Sequence, residues 1–188
     1  MPRILIVFGT TDGHTLKIAS AMRDAMIEAG AAVIVRVPRH SDPAPDGYDA
    51  VVVAASVHAS KFQKPVIGWV QAHAETLNRM PSAFVSVSLG ILQREPAVEQ
   101  EVKAIVARFL EGTGWKPTAT LDVAGALLYT RYFWLKRWVM RRIAAKAGGD
   151  TDTSRDYVYT DWAALRAFAQ GFARRVTAKA PAAAVLSA

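Results

Sequence analysis

The most constraining stretch of this sequence is residues 4–15, where five apolar residues run directly into a short loop of glycine and threonine. The run at residues 4–8 is apolar throughout, which is typical of a strand buried on both faces of a parallel sheet. After the loop, apolar residues recur at helical spacing, at Leu16, Ile18, Ala19, Met22 and Met26. The pattern therefore predicts a strand, a tight turn and a helix in immediate succession.

A turn between a strand end and a helix start is a favourable place for an anion. The first backbone N–H groups of a helix have no partner within the helix, and the helix dipole is positive at that end. Glycine lets the backbone approach a ligand closely, and threonine hydroxyls add hydrogen-bond donors. An alternative is that Thr11 or Asp12 only caps the helix, with Gly9 and Gly13 serving the turn. The residues expected to hold a phosphate are Thr10, Thr11, Asp12, Gly13, His14 and Thr15.

Length and composition narrow the class of protein. A chain of 188 residues with 52% hydrophobic content predicts one domain, which we expect over residues 1–178, followed by a disordered alanine-rich tail at residues 179–188. The absence of cysteine excludes disulfides, thiolate metal sites and a cysteine nucleophile, and the four histidines lack metal-ligand spacing. No metal is expected. Because a strand follows directly on residues 1–3 and no run of about eighteen apolar residues occurs, we expect a cytoplasmic protein that does not span a membrane.

Further apolar segments alternate with helical patterns along the chain. Strands are predicted at residues 33–37, 50–55, 83–87 and 118–124, and helices at residues 62–77, 95–110 and 161–176, the last capped by Thr160 or Asp161. Such alternation is typical of an α/β fold in which helices cover both faces of a parallel sheet. Five strands without a sixth unit favour a flavodoxin-like, doubly wound sheet of order 2-1-3-4-5.

Two other predicted strands also end in small polar loops. The third strand is followed by Ser56, Val57, His58 and Ser60, and the fourth by Ser88, Leu89 and Gly90. In a doubly wound sheet, these loops meet the first loop beside the topological switch point. Their convergence favours a ligand site over simple helix capping, because three loops provide separate walls for a phosphate, a ribityl chain and a flat ring.

The loop at residues 10–15 resembles the phosphate loop of flavodoxins, in which hydroxyl residues and a glycine alternate before the first helix. Its pattern Thr-x-Asp-Gly-x-Thr is similar to that of the bacterial FMN-dependent, quinone-linked protoporphyrinogen oxidases, a flavodoxin-like family. Here Asp12 replaces a usual hydroxyl residue, and we expect its carboxylate to cap the helix while its backbone N–H faces the ligand. Other segments that resemble this family are residues 80–84, 124–127, 129, 131–132, 134, 148–149, 151–153 and 159–162. The match spans nearly the whole chain, and residues 89–95 lie outside the family pattern.

The resemblance implies a function in haem biosynthesis. It implies that FMN takes electrons from protoporphyrinogen IX, giving protoporphyrin IX, and passes them to a membrane quinone such as menaquinone or ubiquinone. A positive field near the flavin stabilises the reduced anion, so such a flavin should accept electrons readily. Two alternatives stay open: a soluble flavodoxin or NAD(P)H:quinone reductase, and an interaction module of the same fold that binds no cofactor.

A long insertion separates the fifth strand from the last helix, at about residues 127–156, where α/β connections usually take ~2–6 residues. Six of the seven net positive charges lie between Arg131 and Lys146, where no acid occurs, and the insertion holds five aromatic residues. This composition is typical of a segment at a membrane–water interface, so we expect peripheral attachment to anionic lipid on the cytoplasmic face of the inner membrane. The residues expected there are Arg137, Trp138, Arg141 and Arg142.

The insertion also offers a substrate site. Wound as one helix, it would place Leu128, Tyr132, Leu135, Val139 and Ile143 on one face, with Arg142 and Lys146 close to that face. Protoporphyrinogen IX carries two propionates. Arg131 is expected to bind one of them in a forked geometry, beside Tyr129, Tyr132 and Trp134. No catalytic acid or base is evident, and the candidates for proton removal are the flavin, water, Tyr129 and His58. The alternatives are a helix packed on the sheet or a homo-oligomer contact. Nucleic acid is not expected, because no binding motif accompanies the basic cluster.

Overall fold

The computed structural model describes residues 1–89, 96–146 and 149–179. Its strands are β1 (Arg3–Gly9), β2 (Ala32–Arg36), β3 (Ala50–Ser56), β4 (Ser82–Ser88), β5 (Ala119–Ala124), β6 (Ala126–Leu127) and β7 (Tyr157–Val158). Its helices are α1 (His14–Glu28), α2 (Lys64–Arg79), α3 (Pro96–Thr113), α4 (Trp134–Lys146) and α5 (Trp162–Lys179).

The first five strands form one parallel sheet in the order β2-β1-β3-β4-β5. This order confirms the predicted flavodoxin-like fold. The inner strands β1, β3 and β4 are buried almost throughout, and the edge strands β2 and β5 are partly exposed. The carboxyl ends of β1, β3 and β4 therefore lie side by side at one edge of the sheet.

The sheet has a hydrophobic core on each face. Because side chains alternate along a strand, Ile4 and Ile6 point towards α1 and α5, and Leu5 and Val7 point towards α2 and α3. On the second face, aromatic rings pack edge to face around Phe84. Each crossover helix is thus fixed by buried side chains on the sheet, which sets the position of the loop before it.

The insertion is a small lobe with its own core. Strands β6 and β7 pair antiparallel at its base, with Leu127 opposite Tyr157. A short 3₁₀ turn at Tyr129–Arg131 follows β6 and leads into α4. The expectation of one helical face is corrected here, because Leu128 and Tyr132 precede α4 and are buried in the lobe. That core consists of Leu127, Leu128, Tyr129, Tyr132 and Ala144.

Some predicted boundaries change in the structure. Helix α2 starts at Lys64 instead of residue 62, because Phe62 is buried between Phe84 and Phe109. Asp161 caps α5 as predicted, accepting the N–H of Ala164 at 2.9 Å. Gly90 and residues 180–188 of the predicted tail lie outside the described residues. Within the part of the chain that the structure describes, no helix has both the length and the apolar character needed to cross a membrane.

Close packing at the end of β1 leads to the first prediction. A Cβ on Gly9 would lie 2.5 Å from Val66 Cγ2 and 2.8 Å from Gln63 Oε1, so Gly9→Ala should lower the free energy of unfolding by about 1–3 kcal/mol. The matched control is Gly68→Ala within α2, where nothing lies within 4 Å of the added Cβ. That change should stabilise the helix by up to about 1 kcal/mol. Urea denaturation measures both, and a Gly9→Ala protein as stable as the parent would contradict the packing described.

Candidate functional site

The three predicted polar loops meet at one cleft of about 380 Å³ at the carboxyl edge of the sheet. The insertion closes one side of this cleft, with Tyr132, Lys136 and Met140 among its walls. Thr11 and Gly13 belong to the first loop without lining the cleft. The predicted residues that line it are Thr10, Asp12, His14, Thr15, Ser56, Val57, His58, Ser60, Ser88 and Leu89.

The first loop leaves the amino terminus of α1 open. Gly13 adopts a left-handed conformation, with φ of +88°, and its N–H donates to Thr10 Oγ1 at 2.9 Å. No side chain of the described residues caps α1, and its first turn contains no acidic residue. The alternative in which Thr11 or Asp12 caps the helix is therefore wrong. The first N–H groups of α1 are available to an anion, which the helix dipole also favours.

Asp12 contacts the insertion instead of capping the helix. Its carboxylate accepts a hydrogen bond from Lys136 Nζ at 2.5 Å, and its backbone carbonyl accepts one from Arg131 Nη1 at 3.5 Å. Lys136 is a residue that sequence reasoning missed. Only its membership of the basic cluster set it apart in the sequence. Its contact with Asp12 could not be foreseen, because 124 positions separate the two residues. The insertion is thus attached directly to the predicted phosphate loop.

His14 is a buried, neutral member of the cleft wall. Thr160 donates its hydroxyl hydrogen to the carbonyl of Ala124 at 2.7 Å, so His14 Nε2 is the donor to Thr160 Oγ1, also at 2.7 Å. Burial, and then the charge of Lys17, lower the pKa of His14 below its ordinary value of 6.5. Its Nδ1 is then an acceptor, and it is buried without a partner among the described residues.

Unsatisfied polar atoms in the cleft wall indicate a polar ligand. His14 Nδ1 and Ser88 Oγ are both buried without a hydrogen bond in the described part of the chain. Buried polar groups are normally paired, and exceptions call for an explanation such as a bound molecule. An open helix terminus, two unpaired polar atoms and apolar walls such as Val102 and Ile105 suit a ligand with an anionic end and a flat apolar body.

The second loop is held against the first by Gln63, another residue that sequence reasoning missed. Gln63 Nε2 donates to Ser56 Oγ at 2.7 Å and to Thr11 Oγ1 at 3.3 Å. Within the loop, the backbones of His58 and Lys61 hydrogen-bond to each other. Burial lowers the pKa of His58; Asp12 opposes this effect and Lys136 adds to it. A neutral His58 at the cleft is able to accept a proton.

The residues expected to bind substrate do not form one cluster. Tyr129 is completely buried, and its hydroxyl donates to the carbonyl of Asp150 at 2.8 Å, so we correct its expected role to packing of the insertion. Burial also raises the pKa of Tyr129, which argues against it as a base. Tyr132 lines the cleft, and burial raises its pKa to about 12. Trp134 is 78% exposed, and Arg131 lies beside Gly13 of the first loop.

The residues expected at a membrane fall into two groups. Arg137 is half-buried and donates to the backbone carbonyls of Tyr129 and Tyr132, both at 3.1 Å, so it supports the 3₁₀ turn. Trp138, Arg141 and Arg142 are exposed, with the Arg142 guanidinium 5.1 Å from the centre of the Trp138 ring. The exposed apolar side chains around them are Phe133, Trp134, Leu135, Val139 and Ile143.

The hydrogen bonds of Thr160 lead to the second prediction. Thr160→Val leaves the Ala124 carbonyl without its hydroxyl donor and His14 Nε2 without a partner, and each unsatisfied buried group costs about 1–3 kcal/mol. The free energy of unfolding should fall accordingly in urea denaturation. Thr177→Val is the matched control, because the Thr177 hydroxyl bonds only to the carbonyl of Ala173 four residues earlier in α5. Equal stability of the two variants would contradict the role given to Thr160.

Comparison with known proteins agrees with this architecture. The model of the flavodoxin domain family matches residues 5–154. Among solved structures, oxidised flavodoxin 2 from Bacillus cereus superposes with a TM-score of 0.57 at 14% identity, covering 92% of this chain and 99% of that one, which shows a shared fold. Membership of the flavodoxin domain family implies that the protein binds a flavin.

Two curated relatives match almost the whole chain. Protoporphyrinogen IX dehydrogenase (quinone) of Escherichia coli strain K12 is 37% identical over 172 residues, covering 91% of this chain and 94% of that protein. The protein of the same name in Leishmania major is 32% identical over 174 residues, covering 92% of this chain and 75% of that protein. The chain therefore belongs to the flavodoxin domain family and, within it, to the family of the quinone-linked protoporphyrinogen IX dehydrogenases.

Proposed function

We propose that this protein is an FMN-dependent dehydrogenase that oxidises protoporphyrinogen IX to protoporphyrin IX and passes the electrons to a quinone. The observation that carries the proposal is the 37% identity over 91% of the chain to a dehydrogenase named for this substrate and acceptor. That similarity extends through the insertion, which forms one wall of the cleft. The function therefore rests on more than the fold, which many unrelated activities share.

FMN is the flavin that we propose for the cleft. Its phosphate would lie on the open N–H groups of α1 and on residues 10–15, where left-handed Gly13 lets the backbone turn closely. Ser88 Oγ and His14 Nδ1 are buried and have no hydrogen-bond partner among the described residues, so both are available to polar groups of the cofactor. When bound, FMN supplies the redox chemistry, and the protein supplies binding, orientation and electrostatics.

The walls of the cleft suit a large flat substrate. Val87, Val102, Ile105 and Met140 give apolar surface that excludes water from a reacting ring. His58 is the side chain that we propose to accept a proton, because burial and Lys136 favour its neutral form. We keep Arg131 as the proposed propionate partner, since its exposed guanidinium has donors beyond the one directed at Asp12.

The activity itself is the third prediction. Protein loaded with FMN and mixed anaerobically with protoporphyrinogen IX and a short-chain quinone should develop porphyrin fluorescence. Gly13→Val should retain no FMN and show no activity, because its backbone needs φ of +88° and its Cβ would lie 3.2 Å from Arg131 Nη1. Rapid flavin reduction by NADH or NADPH without porphyrin fluorescence would move the function to a soluble quinone reductase. A protein that takes up no FMN would favour an interaction module.

We propose that α4 attaches the protein to the membrane surface, where the protein would meet a lipid-soluble quinone. Trp134 and Trp138 present exposed aromatic surface beside the exposed cations Arg141 and Arg142. Aromatic side chains favour the headgroup region, and each basic residue near an anionic surface contributes roughly 1 kcal/mol. Arg137 is not part of the proposed surface, because its guanidinium donates hydrogen bonds to backbone carbonyls within the insertion.

The fourth prediction tests this surface by vesicle flotation. The native protein should float with vesicles that contain phosphatidylserine at low salt, and Arg141→Glu with Arg142→Glu should release it. Reversal of two exposed arginines on α5, Arg174→Glu with Arg175→Glu, gives a control with the same change in net charge. Native protein that stays with the soluble fraction, or equal release by both pairs, would refute a specific membrane surface on α4.

A further inference from the structure

Asp12 is an unusual neighbour for a phosphate. It stands between Thr11 and Gly13 in the loop before α1, where the open N–H groups would receive the anion, and its side chain lines the same cleft. A carboxylate there repels a phosphate, and the repulsion is strong at a partly buried site because little water screens it. Something must compensate this charge if the loop is to bind an anion.

Lys136 of the insertion supplies the compensating charge. Its Nζ lies 2.5 Å from Asp12 Oδ1, and the two side chains are only 29% and 21% exposed. The Lys136 ammonium also lies 4.4 Å from the centre of the Tyr132 ring, which is buried in the insertion core. The hydroxyl of Tyr132 accepts the N–H of Leu128, so the lobe itself fixes the position of this cation.

We propose that Lys136 is a positioning residue for the cofactor: it neutralises Asp12, so that the loop at residues 10–15 can accept the phosphate of FMN. This inference rests on the proposed function in that the anion is taken to be the FMN phosphate. It assigns the insertion a part in cofactor binding, separate from its proposed contacts with substrate and membrane. The loop has the geometry of a phosphate site by itself, and Lys136 removes the opposing charge of Asp12.

A charge-compensation role differs from a purely mechanical one. If the ion pair only attached the insertion to the loop, loss of either partner would weaken the cofactor site in the same way. If Lys136 acts by neutralising Asp12, loss of Lys136 is harmful only while Asp12 remains charged. Removing the carboxylate alone should then leave FMN binding intact or strengthen it, and removing both partners should restore binding.

The fifth prediction measures the dissociation constant of FMN for the apoprotein by quenching of flavin fluorescence. Lys136→Gln should weaken FMN binding by about tenfold or more, since an uncompensated like charge then faces the phosphate. Asp12→Asn should bind FMN at least as tightly as the parent, and Asp12→Asn with Lys136→Gln should return close to the parent value. Lys136→Arg keeps the charge and should bind FMN nearly as well as the parent.

Riboflavin provides the chemical control, because it has the same ring and ribityl chain without the phosphate. Its affinity should be nearly equal for the parent and Lys136→Gln. Lys103→Gln is the matched control variant, since Lys103 also lies beside a carboxylate, that of Glu99 at 3.9 Å, and does not line the cleft. It should leave FMN binding unchanged.

The outcomes separate this inference from the proposed function. A parent protein that binds no FMN would overturn the proposed cofactor. A parent protein that binds FMN, with equal losses for Asp12→Asn and Lys136→Gln and no recovery in the double variant, would overturn charge compensation alone. Circular dichroism would show whether Lys136→Gln folds. If it does not, the FMN dissociation constants of Asp12→Asn and of the double variant are compared instead. A large further loss on removing Lys136 from the Asp12→Asn protein would refute the inference.

Discussion

The architecture of the site depends on the burial of β1 between β2 and β3. Both edges of β1 are hydrogen-bonded to neighbouring strands, and helices cover both of its faces. The residues that follow the strand lie beyond this cover, so they cannot be as apolar as the strand itself. The chain has to leave the sheet at Gly9, where Val66 and Gln63 allow no side chain. Helix α1 then starts directly above the sheet edge, and no side chain of the described residues caps its first N–H groups. A helix terminus that is open to an anion is thus a consequence of how β1 is buried.

The insertion changes the electrostatics of this terminus more than its geometry. Gly13 and Thr10 make the turn by themselves, through one hydrogen bond and one left-handed residue. The insertion adds a cation on the carboxylate of Asp12, and a guanidinium donor on its carbonyl. Because the Asp12–Lys136 pair is neutral as a unit, it does not cancel the positive charge that the α1 terminus, Arg131 and Lys17 place near the loop. Such a field favours an anionic ligand and an anionic reduced flavin.

The strand order and the convergence of the three loops could be predicted from sequence, because both follow from local patterns. Unbroken apolar runs identify buried parallel strands, and polar residues at their carboxyl ends must share one edge of the sheet. The pairs that complete the site could not be predicted in this way. His14 and Thr160 are 146 positions apart, and their hydrogen bond appears only when α5 is packed beside α1. Strands β6 and β7 have two residues each, too few to show any periodicity.

The imperfect amphipathic pattern of the insertion also has a structural cause. Helix α4 faces the cleft on one side and is exposed on the other, and it carries apolar residues on both sides. Lys136, Met140 and Ala144 recur every four residues and line the cleft, with Tyr132 preceding them at the same spacing. Trp134 and Trp138 also lie four residues apart, and both are exposed. A single hydrophobic face is the pattern of a helix with one apolar neighbour. The pattern of α4 is that of a helix shared between a ligand cleft and an outward surface, which explains why neither face is clearly separated in the sequence.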